Sequence, residues 1–232
     1  MDDYLVWMRP IRMAILLLAT LPAISRAQVV SLDEGSFTVI RAGERIGHEN
    51  FSIRRTPSVS GPLIVAKATV LVGGRRVEPA LNADSAGFPL KYRSELRVDA
   101  RVVEVYSGQT TRDHYSSRAQ LANGESSREF RLPPGTVTAE DDVIHHLWFI
   151  IRRGVGATVP VLVPSRSALD QVRIELVGSE QLTIDGRSFD TRHLRLVTLG
   201  SDKVRDVWLD EAGRIMKAAI PALKLTAVRD ER

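Results

Sequence analysis

The sequence predicts a mainly β fold with a small helical part (α+β): a curved antiparallel sheet or half-barrel of about ten strands, with one helix packed on its concave face. Three observations carry this. Period-two alternation of apolar and polar residues recurs along the chain. Hairpin-turn dipeptides punctuate it at intervals of about ten residues. One stretch only, Thr138 to Gly154, replaces the alternation with helical periodicity.

The clearest strand is 90–98, with Leu90, Tyr92, Leu96 and Val98 on one face and Lys91, Arg93, Glu95 and Arg97 on the other. Phe37-Val39, Phe51-Ile53, Val172-Ile174-Leu176, Leu194-Leu196 and Leu223-Leu225 alternate in the same way. Leu63–Ala66 and Val161–Val163 are apolar throughout, so no face can be assigned to them. Gly73-Gly74, Asn123-Gly124 and Asp185-Gly186 read as tight hairpins, since Gly and Asn accept positive φ. Asp84–Gly87 and Asp210–Gly213 read as four-residue turns. No fixed-period repeat and no low-complexity segment is visible, so residues 28–232 are expected to form a single β-rich domain.

The expected helix, 139–153, carries start and stop signals. Thr138 with Asp141 has the form of a capping box, with Asp in place of Glu. Glu140, Asp141 and Asp142 put negative charge at its start; Arg152 and Arg153 put positive charge at its end, before Gly154. At about 100° per residue, Val143, Ile144, Leu147, Trp148, Ile150 and Ile151 share one broad side. Asp141, Asp142, His145, His146, Phe149 and Arg152 share the other. So apolar a side must pack on a sheet face.

Residues 1–27 read as a secretory signal peptide: Arg9 and Arg12, the apolar run Met13–Leu21, the helix-breaking Pro22, and Ser25-Arg26-Ala27 before a cleavage point at Gln28. The run is too short for a bilayer core of about 30 Å, and no second apolar run follows, so no transmembrane span is expected after cleavage. The chain carries +4; Asp2 and Asp3 against Arg9, Arg12 and Arg26 leave +1 in residues 1–27, so the remainder carries 4 − 1 = +3, spread along its length. A spread charge does not suit a nucleic-acid partner, which needs clustered Lys and Arg. The absence of cysteine excludes a disulfide framework, a thiol nucleophile, thiolate metal ligation and a lipidated cysteine anchor. An exported chain of this kind suits the periplasm or secretion.

Chemistry-bearing residues are few. Asp141/His145 and Asp142/His146 are i,i+4 pairs that could bind zinc or poise a general base, although the H-E-x-x-H spacing is missing. The simpler expectation is solvated Asp–His pairs on the wet side of the helix. His48 and Glu49 follow the Gly43–Gly47 turn region, in a first hairpin. His114 and His193 sit in strands beside Arg112, Arg192 and Arg195, on solvated faces. There is no phosphate loop, no nucleophile elbow and no aspartic-protease triplet. No cofactor is expected. Arg54-Arg55, Arg75-Arg76 and Arg152-Arg153 could meet anionic headgroups but read as solvated faces, and Trp148 and Trp208 read as core.

Strands, one apolar helix opened by acidic residues, more strands, and then Val207-Trp208-Leu209-Asp210-Glu211-Ala212-Gly213-Arg214-Ile215 resemble a group of exported bacterial proteins of unknown function. That group is similar to the lipoprotein-carrier superfamily of half-barrels. The resemblance implies a curved sheet whose concave face is covered by helix and can hold acyl chains, and it carries over no catalytic residue. The expected function is therefore that of a non-enzymatic periplasmic protein binding an apolar or lipid-like ligand, or an envelope protein, with Trp148, Leu147, Ile144 and Ile151 facing the ligand. Two alternatives stand beside it. One is a metal-dependent or acid/base hydrolase using Asp141, Asp142, His145 and His146; the other is a structural interaction module.

Overall fold

The computed structural model describes residues 28–230; the expected signal peptide lies outside the described residues. The described residues form sixteen strands, more than the ten or so expected, in one sheet. The first nine are β1 (Val30–Arg41), β2 (Glu44–Thr56), β3 (Leu63–Val72), β4 (Arg75–Val77), β5 (Ala80–Asp84), β6 (Pro89–Val98), β7 (Arg101–Thr111), β8 (His114–Leu121) and β9 (Gly124–Arg131). After them come β10 (Val137–Thr138), a helical segment, β11 (Thr158–Val163), β12 (Ala168–Ile184), β13 (Arg187–Thr198), β14 (Val204–Leu209), β15 (Ile215–Ile220) and β16 (Leu225–Arg229). The pairing order is β10-β11-β12-β13-β14-β15-β16-β1-β2-β3-β4-β6-β7-β8-β9, with β5 bridging β3 and β6. Every ladder is antiparallel except the two-residue pairing of β10 with β11. Most pairs are neighbours in sequence, the outcome expected of short hairpin connections; the exceptions are β16 with β1, β3 with β5 and β4 with β6.

Alternation places Phe37 and Val39, Phe51 and Ile53, Ile64 and Ala66, Leu81 and Ala83, Val172 and Ile174, and Leu194 and Leu196 inside. The turn chemistry explains the hairpins. Gly73 and Gly74 both take positive φ, 58° and 77°, as a two-residue hairpin matching the strand twist requires. Asp84 Oδ1 accepts from the N–H of Ala86 (2.9 Å) and Phe88 (2.8 Å), closing the β5–β6 loop. Asp210 repeats the device, accepting from Arg214 N–H at 2.8 Å. One expected turn is displaced: Leu121 pairs with Gly124, so the β8–β9 loop is Ala122-Asn123 and Gly124 opens the strand. The face assigned to 90–98 also fails at its far end, where Leu96 is half-buried and Val98 is exposed, since that end runs past the interior packing.

The helix is shorter than 139–153. A 3₁₀ turn, Ile144–His146, runs into α1 (Leu147–Ile151). Thr138 belongs to β10, and no side-chain cap comes from the local sequence, so the capping box does not form. The C-terminal signal holds: Gly154, at φ 89°, donates its N–H to Ile151 C=O at 3.1 Å. Every residue from Val143 to Ile151 is buried, including His145, His146 and Phe149, which were placed on a wet side. The segment is enclosed because its residues join one cluster with Phe37, Phe51, Ile64, Leu81, Tyr92, Ile174 and Leu196 from the surrounding sheet.

The two ends of the described chain meet in the sheet. β16 pairs with β1, Phe37 opposite Arg229. Arg229 is buried, and its guanidinium donates to Asp33 Oδ1 (2.6 Å) and to the carbonyls of Glu34 (2.7 Å) and Ile215 (3.3 Å). A buried guanidinium needs both a counter-charge and acceptors for its remaining N–H groups, and this one has both.

Candidate functional site

Two groups of buried polar side chains stand out against the apolar interior. The first is centred on Glu49, on the inward face of β2 in register with Phe51 and Ile53. Its carboxylate is fully buried. It accepts from Ile144 N–H (2.8 Å), His145 N–H (2.8 Å) and the His145 ring at Nδ1 (2.8 Å). These N–H groups are the orphan donors that open a helical segment. A carboxylate from a distant strand thus caps the segment that Thr138 and Asp141 do not. The His145 ring stacks on Phe51 at 5.6 Å, which in turn stacks on Phe37 at 5.1 Å.

The second group lies at a seam. β9 and β10 end the pairing order, so no backbone ladder joins the two ends of the sheet. One wall is made by Tyr92, Tyr106 and Tyr115 on β6, β7 and β8, all buried. The facing wall is Glu140, just after β10, with Ser165 and Ser167 from the corner between β11 and β12. Ser165 donates from Oγ to Glu140 Oε2 (2.5 Å) and from its N–H to Oε1 (3.1 Å). Burial pushes the Glu140 carboxyl up to about 7, the Ser165 and Tyr92 contacts opposing the rise and Asp142 adding to it. The same burial, with the Glu140 charge beside it, raises Tyr92. Burial also raises Tyr106, which has Ser117 and Ser167 near its hydroxyl, and Tyr115. Gly108 makes room for Tyr115: a Cβ there would lie 2.0 Å from its hydroxyl.

The hydroxyls of Tyr92, Tyr106 and Tyr115 are buried among polar neighbours without a well-aligned hydrogen bond among the described residues. The Tyr92 hydroxyl lies beside the Glu140 carboxyl and Ser94, and the Tyr106 hydroxyl beside Tyr115, Ser117 and Ser167. His146 stands edge-on to Tyr92 at 6.0 Å. Its Nδ1 accepts the Glu140 backbone N–H at 3.2 Å, which places the ring proton on Nε2, where it has no partner among the described residues. Burial and the neighbouring His145 hold His146 well below the usual imidazole range, so the ring is neutral.

The expected Asp/His pairs are separated. Asp141 faces away from the histidines to Arg205 (2.5 Å), Arg166 (2.8 Å) and Lys203 (3.2 Å). Burial pushes Asp141 up, but those three cations outweigh it and hold the carboxyl low. Asp142 is exposed and lines a shallow cavity with Arg75, Val72 and Ile144. His145 and His146 are enclosed. Among the described residues no three His, Asp or Glu side chains gather around a common point that could hold a metal ion. Ile144, Leu147, Trp148 and Ile151 are all core, with the Arg152 guanidinium 4.5 Å over the Trp148 ring.

Sequence reasoning missed Glu49 and the tyrosines. The signal for Glu49 is legible: the Phe51–Ile53 alternation, carried back one step, puts a carboxylate inside. His193 and Trp208 form a separate outer cluster, stacked at 4.3 Å, with His193 Nε2 3.0 Å from Asp206. Lys217 covers the Trp208 ring at 4.3 Å.

No protein-family model and no curated protein matches the chain. Among solved structures, a β-barrel-like protein of the domain of unknown function DUF1849 from Brucella abortus aligns with a TM-score of 0.50 and 9% identity, over 88% of this chain and 98% of that one. A DUF1089 family protein from Pseudomonas aeruginosa aligns with a TM-score of 0.39 and 15% identity, over 96% of this chain and 98% of that one. At this identity the likeness to the DUF1849 protein concerns architecture alone, and that architecture is β-barrel-like.

Proposed function

We propose that this chain is an exported, non-enzymatic envelope protein that binds an apolar or lipid-like ligand inside its curved sheet, in the manner the lipoprotein-carrier resemblance implies. The observation that carries the reading is the seam. The sheet encloses an apolar interior, yet no backbone ladder joins its two ends, which meet through side chains, so the wall can part there without breaking a ladder. The segment 143–151 fills the interior and is tethered at its start mainly by Glu49. None of the described helices is long and apolar enough to cross a membrane.

Trp148→Ala tests the reading. A ring buried in a plain structural core is worth about 3–5 kcal/mol. If the segment is a displaceable plug, the loss is smaller and an apolar ligand restores it, since a ligand that binds only the folded state raises its stability. Thermal unfolding of the variant with and without monoacyl lipid separates the two. A large loss that lipid leaves unchanged would refute the carrier reading.

A second reading has its own support. β9 is an eight-residue edge strand, exposed along nearly its whole length. It could add a strand from an envelope partner. A stable complex abolished by a proline at Ser127, with no lipid bound, would favour it.

A further inference from the structure

We propose that the cavity at the mouth of the sheet, between the inward-facing Arg41 and Arg75, receives the head of an anionic amphiphile: a carboxylate or phosphate oxyanion on an aliphatic chain. The inference deepens the lipid-like reading and rests on it.

Arg41 ends β1 on the face that holds Phe37 and Val39, opposite the buried Leu225 of β16. Arg75 opens β4 opposite Val72, one step from the Val70–Val77 pair. Period-two alternation therefore aims both side chains inward, with Val39, Val70 and Val77 a step deeper. With Asp142 they line a cavity of about 90 Å³ whose apolar wall includes Val39, Val70, Ile144 and Leu225. Neither guanidinium makes a hydrogen bond or an ion pair among the described residues, whereas Arg76, on the opposite face of β4, is held 2.7 Å from Glu78. Asp142 is the one carboxylate in the lining, and Arg75 lies near enough to act on its charge. Two cations against one acid leave the mouth short of negative charge. A carboxylate or phosphate takes a guanidinium as a bidentate, charge-assisted pair. An ammonium head would meet two like charges, and a neutral head would offer the arginines no more than water does. The aliphatic wall takes the first carbons of the tail. The cavity is far smaller than the about 300–1,000 Å³ of a full ligand pocket, so a longer tail must move Ile144, whose N–H Glu49 holds at 2.8 Å. Capture of the head at the mouth and displacement of the interior segment are thus successive steps of one entry.

The test titrates four probes with one oleoyl tail into the full chain by calorimetry, each below its critical micelle concentration: oleate, 1-oleoyl lysophosphatidate, 1-monooleoylglycerol and oleylamine. At least one of the two anions should bind about tenfold or more tighter than monooleoylglycerol and oleylamine, and whichever leads identifies the head. The Arg41→Gln/Arg75→Gln variant should weaken that anion about 50-fold and bring it level with monooleoylglycerol. Both side chains are exposed at the rim, so the variant should melt with the parent, which separates a binding defect from a folding one. Arg76→Gln, one residue away on the opposite face, should leave the affinity within about twofold. Val72→Phe, which fills the cavity and keeps both arginines, should weaken the anion about tenfold, as a seated tail requires and an ion held by surface charge does not. Equal or tighter binding of monooleoylglycerol or oleylamine, or an unchanged affinity in the double variant or in Val72→Phe, would overturn the mouth assignment and leave the lipid reading in place. Failure of all four probes to bind would overturn the lipid reading itself.

Discussion

Replacing Glu49 by alanine should be among the most damaging single changes in the described residues. The carboxylate is fully buried and serves three donors at 2.8 Å: the N–H groups of Ile144 and His145 and the His145 ring. None of the three can turn to water, because Ile144 and His145 are themselves enclosed. An orphaned buried donor costs about 1–3 kcal/mol. Allowing partial relaxation, the three together cost about 3–6 kcal/mol. That is a large share of the about 5–15 kcal/mol that holds a domain together. Glu49→Gln should fall between the parent and alanine, since its carbonyl oxygen still accepts while its NH₂ confronts a donor. Glu44→Ala, exposed at the start of the same strand, should stay within about 0.5 kcal/mol. Urea unfolding, followed by the fluorescence of Trp148 and Trp208, gives all three values. A Glu49→Ala midpoint equivalent to less than 1 kcal/mol of loss, with the slope unchanged, would refute the account of how the interior segment is anchored.

Glu140 should make stability fall as pH rises. Its folded carboxyl titrates at about 7 against an ordinary 4.5; at about 1.4 kcal/mol per pH unit the difference is about 3 kcal/mol. The protonated form contributes fully below about pH 4.5, and the contribution is lost as pH climbs through 7. The difference in stability between the parent and Glu140→Gln should therefore change across that window, and a flat difference would contradict the burial argument. Gly213, at φ 77° with open space around it, should lose about 1–3 kcal/mol as valine through backbone strain alone. Arg214→Ala, which removes the side chain's 2.7 Å contact with Asp210 near the surface, should lose less than about 1 kcal/mol; equal melting temperatures would contradict the turn. N-terminal sequencing of the exported protein should begin at or within a residue or two of Gln28, and a soluble full-length chain would contradict processing.

The β character, the single interior helix and its end at Gly154 were legible because alternation and turn chemistry are local properties. The strand count fell short where hairpins lack the familiar dipeptides. β6 and β7 are joined by Asp99-Ala100, at φ 48° and 63°, and Arg112 turns at φ 61°; in neither turn is there a glycine to signal it. The corners at Pro164–Arg166 and Pro221–Leu223 close as 3₁₀ turns followed by left-handed Ser167 and Lys224. The helix start was misplaced for the opposite reason. Its capping acceptor is not local: Glu49 lies about a hundred residues upstream, and only the tertiary fold brings it to Ile144. With that cap at its head, the segment begins at Ile144, five residues after the expected start at 139, and the two histidines turn inward. The seam cluster was illegible in the same sense, since Tyr92, Tyr106 and Tyr115 stand on three strands and their meeting with Glu140 depends on how the ends of the sheet approach.

The pairing of β1 with β16 has a consequence for the order of events in making this protein. Phe37 finds its partner only when residue 229 has been synthesised, and the buried Arg229–Asp33 contact spans the chain almost from end to end. Contacts so distant in sequence form late and slowly. The middle of the sheet therefore cannot be completed on a growing chain. Until the last strand arrives, β1 offers an unpaired edge and Asp33 has no counter-ion. The β1–β16 ladder is thus among the last that the chain can form. Removing even the final strand should leave a species that never becomes compact, whereas joining the two ends and opening the loop at Ala122-Asn123 should leave the fold intact while letting that central pair form first.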